Sequence, residues 1–168
     1  MTRNPTIGLL SDTHGWLDPA LLDHFAGTDV IVHAGDIGNP DVLASLRSVA
    51  SVVAVRGNID GGALTVLPDS DHVDVGGKRL AVLHIAGSPL RPNAAARDLI
   101  AAARPDVLVF GHSHIPVAGR AADVLWINPG AAGHEGFHDE RTAARLEIDP
   151  VGELKVYRIH LGPRGRRH

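Results

Sequence analysis

Residues 6–15 read Thr6-Ile-Gly-Leu-Leu-Ser-Asp-Thr-His-Gly15, an apolar run that stops at polar side chains and a glycine. The same pattern returns at Asp29-Val-Ile-Val-His-Ala-Gly-Asp36 and at Ser51-Val-Val-Ala-Val-Arg-Gly-Asn58. Short apolar runs bounded in this way are typical of buried β-strands. Between them, Asp18-Pro19 and Asn39-Pro40 supply the N-cap and first-turn residues of helices. This β-α-β-α-β order predicts parallel strands joined by right-handed crossovers.

The rest of the chain is predicted to be rich in strands. His72 to Val75 and Lys78 to His84 flank a Gly76-Gly77 pair, which predicts a β-hairpin. The Ala-rich, amphipathic segment from Pro92 to Ala103 predicts a helix. Further strands are expected at residues 107–110, 115–118, 124–127, 142–148 and 154–160. We therefore predict one domain over residues 1–161, with two sheets packed face to face and helices outside, and a disordered basic tail at residues 162–168.

Composition limits the classes to which the chain can belong. Its 168 residues are 44% hydrophobic and 21% charged, the balance of a soluble globular domain. A formal net charge of −3 argues against a surface that grips nucleic acid, so nucleic-acid partners are not expected. Cysteine is absent, which excludes disulfides and thiol catalysis. Because the sequence shows neither a membrane-span-length apolar stretch nor a signal-peptide apolar region, we expect a cytoplasmic protein without membrane contacts.

The 11 histidines are the unusual number in this composition, and several follow predicted strands. Histidine in excess without cysteine is typical of metal sites that mix nitrogen and oxygen ligands. The carboxyl ends of parallel strands meet at one edge of a sheet, so polar residues that follow those strands are expected to lie together. Gly35, Gly57 and Gly111 each precede a candidate ligand, where we expect the chain to turn sharply. The candidate ligands for two divalent cations are Asp12, His14, Asp36, Asn58, His84, His112 and His114.

These segments resemble the calcineurin-like metallophosphoesterases, most closely their compact bacterial and archaeal phosphodiesterase branch. The resemblance covers Ile7 to about His160 and includes Leu10-Ser-Asp-Thr-His14, Val32-His-Ala-Gly-Asp36, Val55-Arg-Gly-Asn-Ile-Asp60, Gly111-His-Ser-His114 and Ile127-Asn-Pro-Gly130. It implies an α/β fold, a four-layer α/β/β/α sandwich of two mixed sheets flanked by helices. It also implies that Asp12, His14, Asp36 and His114 hold one metal ion, and that Asp36, Asn58, His84 and His112 hold the other. Asp36 would bridge the two ions, and Asp36, Asn58 and His112 would be catalytic.

The activity that the resemblance implies is the hydrolysis of a small-molecule phosphate ester, most specifically a phosphodiester, at a dinuclear metal centre. Two divalent ions contribute about +4, Asp12 and Asp36 about −2, and a bridging hydroxide about −1. The resulting charge, near +1, attracts a phosphate oxygen while keeping a hydroxide for in-line attack on phosphorus. Since imidazole supplies several ligands, we expect transition ions, manganese first, with iron, zinc, nickel or cobalt as alternatives.

Two positions depart from the family pattern. Many members have a histidine directly after the Asn58 position, where it assists the leaving group; here that residue is Ile59. The compact branch commonly lacks this histidine too, so we expect activity with a preference for activated leaving groups such as aryl esters. Around His84 the family usually shows a Thr-His-Gly-His-like run, whereas this chain has Leu83-His-Ile-Ala86. His72 is the competing ligand, although its alternating surroundings are typical of a surface strand.

Three further residues are candidates for roles beside the metal ions. Arg56 could bind substrate, or it could be an exposed arginine at a strand end. His134 could also bind substrate, or it could be a solvated histidine in a loop. His33 is either a satisfied buried histidine or a residue that orients the metal site. The alternative functions are a non-catalytic metal-binding scaffold on the same fold and a phosphomonoesterase; the complete ligand set favours an enzyme. The oligomeric state stays open, with a homo-oligomer as one alternative.

Overall fold

Strand pairing divides the chain between two five-stranded sheets, and the computed structural model describes residues 2–165. The elements in chain order are β1 (Thr6–Leu10), α1 (Ala20–His24), β2 (Val30–His33), α2 (Pro40–Arg47), β3 (Ser51–Ala54), a 3₁₀ helix (Gly62–Val66), β4 (Ser70–Val75), β5 (Lys78–Leu83), β6 (Gly87–Ser88), β7 (Arg91–Pro92), α3 (Ala94–Ala103), β8 (Val107–Val109), β9 (Val117–Ala121), β10 (Val124–Asn128), β11 (Glu140–Ile148) and β12 (Leu154–Pro163). None of the helices within these described residues is long and apolar enough to cross a bilayer.

Both sheets are mixed: in each, three neighbouring strands pair in parallel, and the other two strands are joined by antiparallel pairing. The first sheet has the order β12-β11-β1-β2-β3, in which β1, β2 and β3 are parallel. The second has the order β4-β5-β8-β10-β9, in which β5, β8 and β10 are parallel. Leu10 pairs with His33, and His33 pairs with Ala54, so β1, β2 and β3 end side by side. The loops that follow them therefore start at the same edge of the sheet.

Alternation along the strands creates the four layers. Successive strand residues point to opposite faces; in β1, Leu9 faces the second sheet and Leu10 faces helices α1 and α2. The cluster between the sheets joins residues such as Leu9 and Val32 to Leu80 and Val109. On the far side of the second sheet, α3 packs against a cluster that includes Trp126. The predicted four-layer α/β/β/α sandwich of two mixed sheets is confirmed.

Most element boundaries follow the predicted ones, with differences that have physical causes. Helix α2 begins where expected, because the Asn39 side chain accepts a hydrogen bond from the Asp41 backbone N–H at 2.9 Å. Helix α3 begins at Ala94 rather than Pro92, since Pro92 lies in β7 and Asn93 is the N-cap. The strand expected at 115–118 is instead β9, Val117–Ala121, because Pro116 lacks the N–H that a ladder requires. The 3₁₀ helix and the β6–β7 hairpin were not predicted.

The described part of the expected basic tail is attached to the domain. Strand β12 continues through Pro163, two residues beyond the expected domain boundary at 161. The Arg164 guanidinium then donates hydrogen bonds to backbone carbonyls of residues 131–140. Gly162 and Pro163 are therefore part of β12, and Arg164 is held against the domain. Arg166, Arg167 and His168 lie outside the described residues.

Candidate metal centre

The loops after β1, β2, β3, β5 and β8 meet at one place. Because the carboxyl ends of parallel strands from both sheets open on this crevice, their first loop residues are brought together although they are far apart in sequence. The contacts described below join residues of all five loops. The seven predicted ligands lie there: Asp12, His14, Asp36, Asn58, His84, His112 and His114.

Asp12, His14 and His114 form a first group, in which each offers a ligand atom within 4.8 Å of the others. The Asp12 Oδ1 atom lies 3.1 Å from His114 Nε2 and 3.8 Å from His14 Nε2. Its Oδ2 atom accepts hydrogen bonds from the Ser11 hydroxyl at 2.6 Å and from the His112 backbone N–H at 3.2 Å. One carboxylate oxygen is therefore held by the protein, and the other faces the histidines.

Asp36, His84 and His112 form a second group with the same spacing of ligand atoms. Asn58 joins them, since its Oδ1 atom lies 2.9 Å from His84 Nε2 and 3.0 Å from His112 Nδ1. The other ring nitrogen of His84, Nδ1, contacts the Ala34 carbonyl at 2.7 Å. That contact fixes the ring so that Nε2 faces the group.

Asp36 reaches both groups. Its Oδ1 atom lies 3.2 Å from His84 Nε2, and its Oδ2 atom lies 3.6 Å from His14 Nε2. The Ile59 backbone N–H donates to Oδ1 at 3.1 Å and orients the carboxylate. A carboxylate with one oxygen toward each ligand group has the placement that a bridging ligand requires.

Backbone conformation is unusual at these residues. Among residues 2–165, seven non-glycine residues have a positive φ, and five of them are predicted ligands. The left-handed conformation costs an L-residue about 1–2 kcal/mol. Residues in such strained conformations are concentrated at sites that hold ligands. The five ligands are Asp12, His14, Asp36, His112 and His114, with φ between 47° and 71°. The surrounding fold therefore stabilises these conformations against a local cost.

The donor set fits a divalent transition-metal ion. Within residues 2–165, three buried side-chain atoms have no hydrogen-bond partner: Asp12 Oδ1, His14 Nε2 and His114 Nδ1. The 3.1 Å contact of Asp12 Oδ1 with His114 does not have hydrogen-bond geometry. An unsatisfied buried polar atom costs about 1–3 kcal/mol. A cation bound between Asp12 Oδ1 and His14 Nε2, which lie 3.8 Å apart, would remove that cost at these two atoms. Mixed imidazole and carboxylate ligands suit transition ions.

The charges of the site favour cation binding. Burial raises the pKa of Asp12, but His114 and His14 beside it outweigh burial and hold the pKa well below its usual range. Burial also raises the pKa of Asp36, but the contact with His84 opposes this effect, and the net shift of the pKa is downward. In the opposite sense, burial lowers the pKa of His84, and its contact with Asp36 raises it more. Asp12 and Asp36 are therefore carboxylates at neutral pH, the form in which they bind metal.

Two glycines permit the ligand loops to touch. A Cβ atom at Gly57 would overlap the backbone N and the Oδ1 atom of Asp36, and one at Gly111 would overlap Ser11 Oγ and Asp12 Oδ2. Of the three glycines expected at sharp turns, Gly35 has a positive φ of 98°, whereas Gly57 and Gly111 do not. The chain does turn at both of these, since the Asp60 N–H donates to the Gly57 carbonyl at 3.2 Å and the Ser113 N–H to the Gly111 carbonyl at 2.9 Å. Their need for glycine, however, comes from the close packing of neighbouring loops rather than from a positive φ.

Two supporting residues were not assigned roles from the sequence. The buried Asp60 carboxylate accepts hydrogen bonds from the backbone N–H groups of Ile37 (3.1 Å), Gly38 (2.9 Å) and Gly57 (2.8 Å). The Asn128 amide donates to the Gly111 carbonyl and to Ser113 Oγ, both at 3.1 Å. Both residues lie in segments that carry the family resemblance, and this position was the one sign in the sequence that they support the site.

His33 is buried and satisfied. Its Nδ1 atom accepts a hydrogen bond from the Gly35 backbone N–H at 3.2 Å, and its Nε2 atom contacts Thr13 Oγ1 at 2.9 Å. His33 is thus a satisfied core histidine, and its two partners, Thr13 and Gly35, directly precede the candidate ligands His14 and Asp36. That it orients the metal site stays a prediction. His72, the competitor of His84, is exposed on β4 and belongs to neither ligand group found among residues 2–165.

The two candidate substrate residues line clefts beside the centre, and each contacts another side chain of the protein. The Arg56 guanidinium donates to Asp69 Oδ1 from Nη2 at 2.6 Å and from Nε at 3.1 Å. It lines a cleft of about 560 Å³ together with Asn58 and His84. The His134 ring stacks on Trp16 with 3.8 Å between centroids.

Comparison with known proteins identifies the family. Residues 6–150 match the calcineurin-like phosphoesterase superfamily domain. A probable metallophosphoesterase of Methanocaldococcus jannaschii is 34% identical over 133 residues, 74% of this chain and 67% of that protein. Phosphodiesterase YfcE of Escherichia coli K12 is 32% identical over 145 residues, 72% of this chain and 76% of that protein.

Solved structures share the fold. An archaeal phosphodiesterase superposes with a TM-score of 0.69 at 22% identity, covering 92% of this chain and 99% of that chain. Vps29 of Entamoeba histolytica complexed with zinc superposes with a TM-score of 0.71 at 17% identity, covering 92% of this chain and 98% of that chain. At these identities the likeness concerns the fold alone. The family match and the two curated relatives carry the assignment: the chain belongs to the calcineurin-like phosphoesterase superfamily.

Proposed function

We propose that the chain is a phosphodiesterase that requires two divalent transition-metal ions, with manganese as the first candidate and iron, zinc, nickel or cobalt as alternatives. The observation that carries the proposal is the position of Asp36, whose two oxygens face two separate ligand groups. Under this proposal, the first ion is held by Asp12, His14, Asp36 and His114, and the second by Asp36, Asn58, His84 and His112.

When bound, two such ions supply Lewis-acid charge for a phosphate group and lower the pKa of water. The protein contributes two carboxylates, Asp12 and Asp36, and a neutral amide at Asn58. This combination leaves an excess of positive charge for an anionic ester, which a third carboxylate would cancel. Asn58 and His112 are exposed at the mouth of the crevice and are the ligands nearest to solvent, where we expect the phosphate to enter.

Space on both sides of the ligand groups supports a diester as substrate. One cleft, of about 560 Å³, borders Asn58 and His84. A second, of about 480 Å³, borders His114 and includes His134. A phosphate between them would have room for two ester substituents, one in each cleft. The names of curated relatives, which include phosphodiesterases, point in the same direction.

The identity of residue 59 supports a preference among leaving groups. Ile59 contributes its backbone N–H to Asp36, and its side chain is 46% exposed with no proton to donate. Esters whose leaving groups need no protonation, such as aryl esters, should therefore react faster than alkyl esters. Equal rates on both kinds of ester would contradict this point.

The test is a titration of metal-stripped protein with Mn²⁺ while the hydrolysis of bis(p-nitrophenyl) phosphate and of p-nitrophenyl phosphate is followed. We expect metal-dependent cleavage with a higher kcat/KM for the diester. Asp36→Asn should retain less than about 1% of the activity, since metal-activated water carries most of such catalysis. Asp98→Asn, an exposed carboxylate on α3, is the matched control and should be fully active.

Three outcomes would reject parts of the proposal. Activity of Asp36→Asn above this level would remove Asp36 from the centre. Faster cleavage of the monoester would make the chain a phosphomonoesterase. Tight binding of Mn²⁺ without cleavage of either ester would favour the non-catalytic scaffold.

A further inference from the structure

Phe137 is almost entirely in solvent beside the candidate metal centre. The chain has three phenylalanines; Phe25 and Phe110 are buried in the core, whereas Phe137 is 95% exposed. Single exposed apolar residues are common and need no explanation by themselves. The position of this one is what matters, because its ring centroid lies 6.4 Å from that of His114, a candidate ligand, with 35° between the ring planes.

The loop that carries Phe137 is held firmly at its backbone. Arg164 fixes it from the end of β12: its guanidinium donates to the carbonyls of Gly133 (2.6 Å), Glu135 (2.7 Å), His138 (2.7 Å), Glu140 (2.8 Å) and Ala131 (3.5 Å). The start of the loop is joined to the ligand loop after β1, where the Gly133 N–H donates to the Asp12 carbonyl at 3.1 Å. The path of residues 131–140 is therefore fixed relative to Asp12.

The same loop builds an aromatic wall along the second cleft. His134 stacks on Trp16, and the Arg141 guanidinium lies 5.0 Å from the centroid of the Trp16 ring. His134 and Phe137 both line the cleft of about 480 Å³ that opens beside His114. A substituent that extends from a phosphate at the metal centre into this cleft would therefore pass the rings of His134 and Phe137 as well as the charged side chains that line it.

We propose that Phe137 and His134 form a subsite for a flat aromatic substituent of the phosphodiester, with Phe137 as the principal stacking surface. The proposal rests on the proposed function, because it places the phosphate at the candidate metal centre. The ligand chemistry is an aryl ring or a nucleobase, both of which present the π-face that stacking requires. The expected contribution of such a contact is about tenfold in KM.

The test keeps the leaving group constant and varies the other substituent. Ethyl, phenyl and thymidine-5′ esters of p-nitrophenyl phosphate all release p-nitrophenolate, so the chemical step stays comparable. We expect a lower KM for the phenyl and thymidine esters in the native protein. Phe137→Ala should raise those two KM values about tenfold and leave the ethyl ester within about twofold, whereas Phe137→Trp should keep the aromatic preference. Whichever of the phenyl and thymidine esters shows the larger rise in KM identifies the preferred substituent, an aryl group or a nucleobase.

A binding measurement separates this proposal from the proposed function. Phenylphosphonate and ethylphosphonate are titrated calorimetrically into Mn²⁺-loaded protein. We expect phenylphosphonate to bind about tenfold more tightly, and Phe137→Ala to abolish that difference without changing metal content or the unfolding temperature. Leu90→Ala, which removes a 94% exposed side chain on the β6–β7 hairpin outside the cleft, is the control.

The outcomes are distinct. Equal changes for ethyl and phenyl compounds in Phe137→Ala, or no change for either, would overturn the aromatic subsite while metal-dependent activity persists. Absence of hydrolysis in the native protein would instead reject the proposed function, and the phosphonate titration would still decide whether the aromatic subsite exists.

Discussion

The Nε2 atom of His33 lies 2.9 Å from the Oγ1 atom of Thr13, and this contact joins the end of β2 to the ligand loop after β1. The Thr13 hydroxyl donates its own hydrogen to the Ile37 carbonyl at 3.0 Å, so it accepts from His33. The Gly35 N–H donates to His33 Nδ1. These two contacts define a neutral imidazole with its proton on Nε2, and a second proton on Nδ1 would face the Gly35 N–H.

Acidification should therefore destabilise the protein through His33. Burial lowers the pKa of His33 to about 4, compared with 6.5 for an unperturbed histidine. The unfolded chain takes up a proton near pH 6.5, whereas the folded chain does so only near pH 4, so stability falls as pH decreases through this window. The pKa difference corresponds to about 3 kcal/mol as an upper value. Urea unfolding of metal-stripped protein at pH 7.5, 6 and 5 measures the loss.

The contribution of His33 is isolated by comparing variants. His33→Gln, which cannot titrate, should be less stable than the native protein at pH 7.5 and should lose less stability on going to pH 5. His24→Gln removes an exposed histidine on α1 and should keep the native pH dependence. If His33→Gln and the native protein lose the same stability between pH 7.5 and 5, the neutral state of His33 is not the cause.

Asn58 should control the second ion selectively. Its Oδ1 atom contacts both His84 and His112, whereas the first ligand group does not include it. Asn58→Ala should therefore reduce bound Mn²⁺ from about two ions to about one per chain and lower kcat by about 100-fold or more. Metal content after gel filtration and initial rates measure the two effects. Asn4→Ala, which removes a side chain that bonds Glu147 away from the centre, should retain both ions. Unchanged metal content in Asn58→Ala would remove this residue from the ligand set.

Asp60 should stabilise the folded protein as an acceptor of hydrogen bonds from the backbone. Three backbone N–H groups from the loops after β2 and β3 converge on its carboxylate. Asp60→Ala leaves them without that acceptor and should lower the free energy of unfolding by about 3 kcal/mol or more, with Asp60→Asn intermediate. Asp123→Ala, at an exposed turn between β9 and β10, should change it by less than about 0.5 kcal/mol. Urea unfolding of the metal-stripped proteins tests this, and equal losses in the Asp60 and Asp123 variants would contradict it.

Strand patterns made part of the fold and of the candidate ligand set accessible, and the family resemblance supplied the four-layer sandwich and the division of ligands between two ions. Apolar runs of strand length are local signals, and the rule that parallel strands share an edge converts them into proximity without any distance information. Asp12, Asp36 and Asn58 could therefore be grouped although they follow different strands. The close contact of Gly57 with Asp36 was not predicted, because the local sequence does not indicate which residue is its neighbour in space.

The supporting contacts were harder to predict because their partners are backbone atoms. Arg164 looked like part of a solvated tail, since its Gly- and Pro-rich surroundings are typical of one. Its partners are carbonyls 24 to 33 residues earlier in the chain, and carbonyls carry no residue identity. Arg56 was considered for phosphate binding, but its partner is Asp69, thirteen residues later in an exposed segment. Such pairings become visible only when the loops are placed in space.

Arg164 should order the loop of residues 133–139 without being required for the fold. Lysine offers three donors from one point, whereas the planar guanidinium spreads its donors over five carbonyls, so Arg164→Lys cannot replace the set. Hydrogen–deuterium exchange should show faster exchange at residues 133–139 in Arg164→Lys, while the β1 and β2 amides stay protected. Added guanidinium at millimolar concentration should partly restore protection in Arg164→Gly, because it can occupy the vacated position. Arg120→Lys, an exposed residue on β9, is the matched control and should exchange like the native protein. Uniform acceleration across the whole chain would mean that Arg164 acts on global stability, and unchanged exchange in the loop would show that the five contacts do not order it.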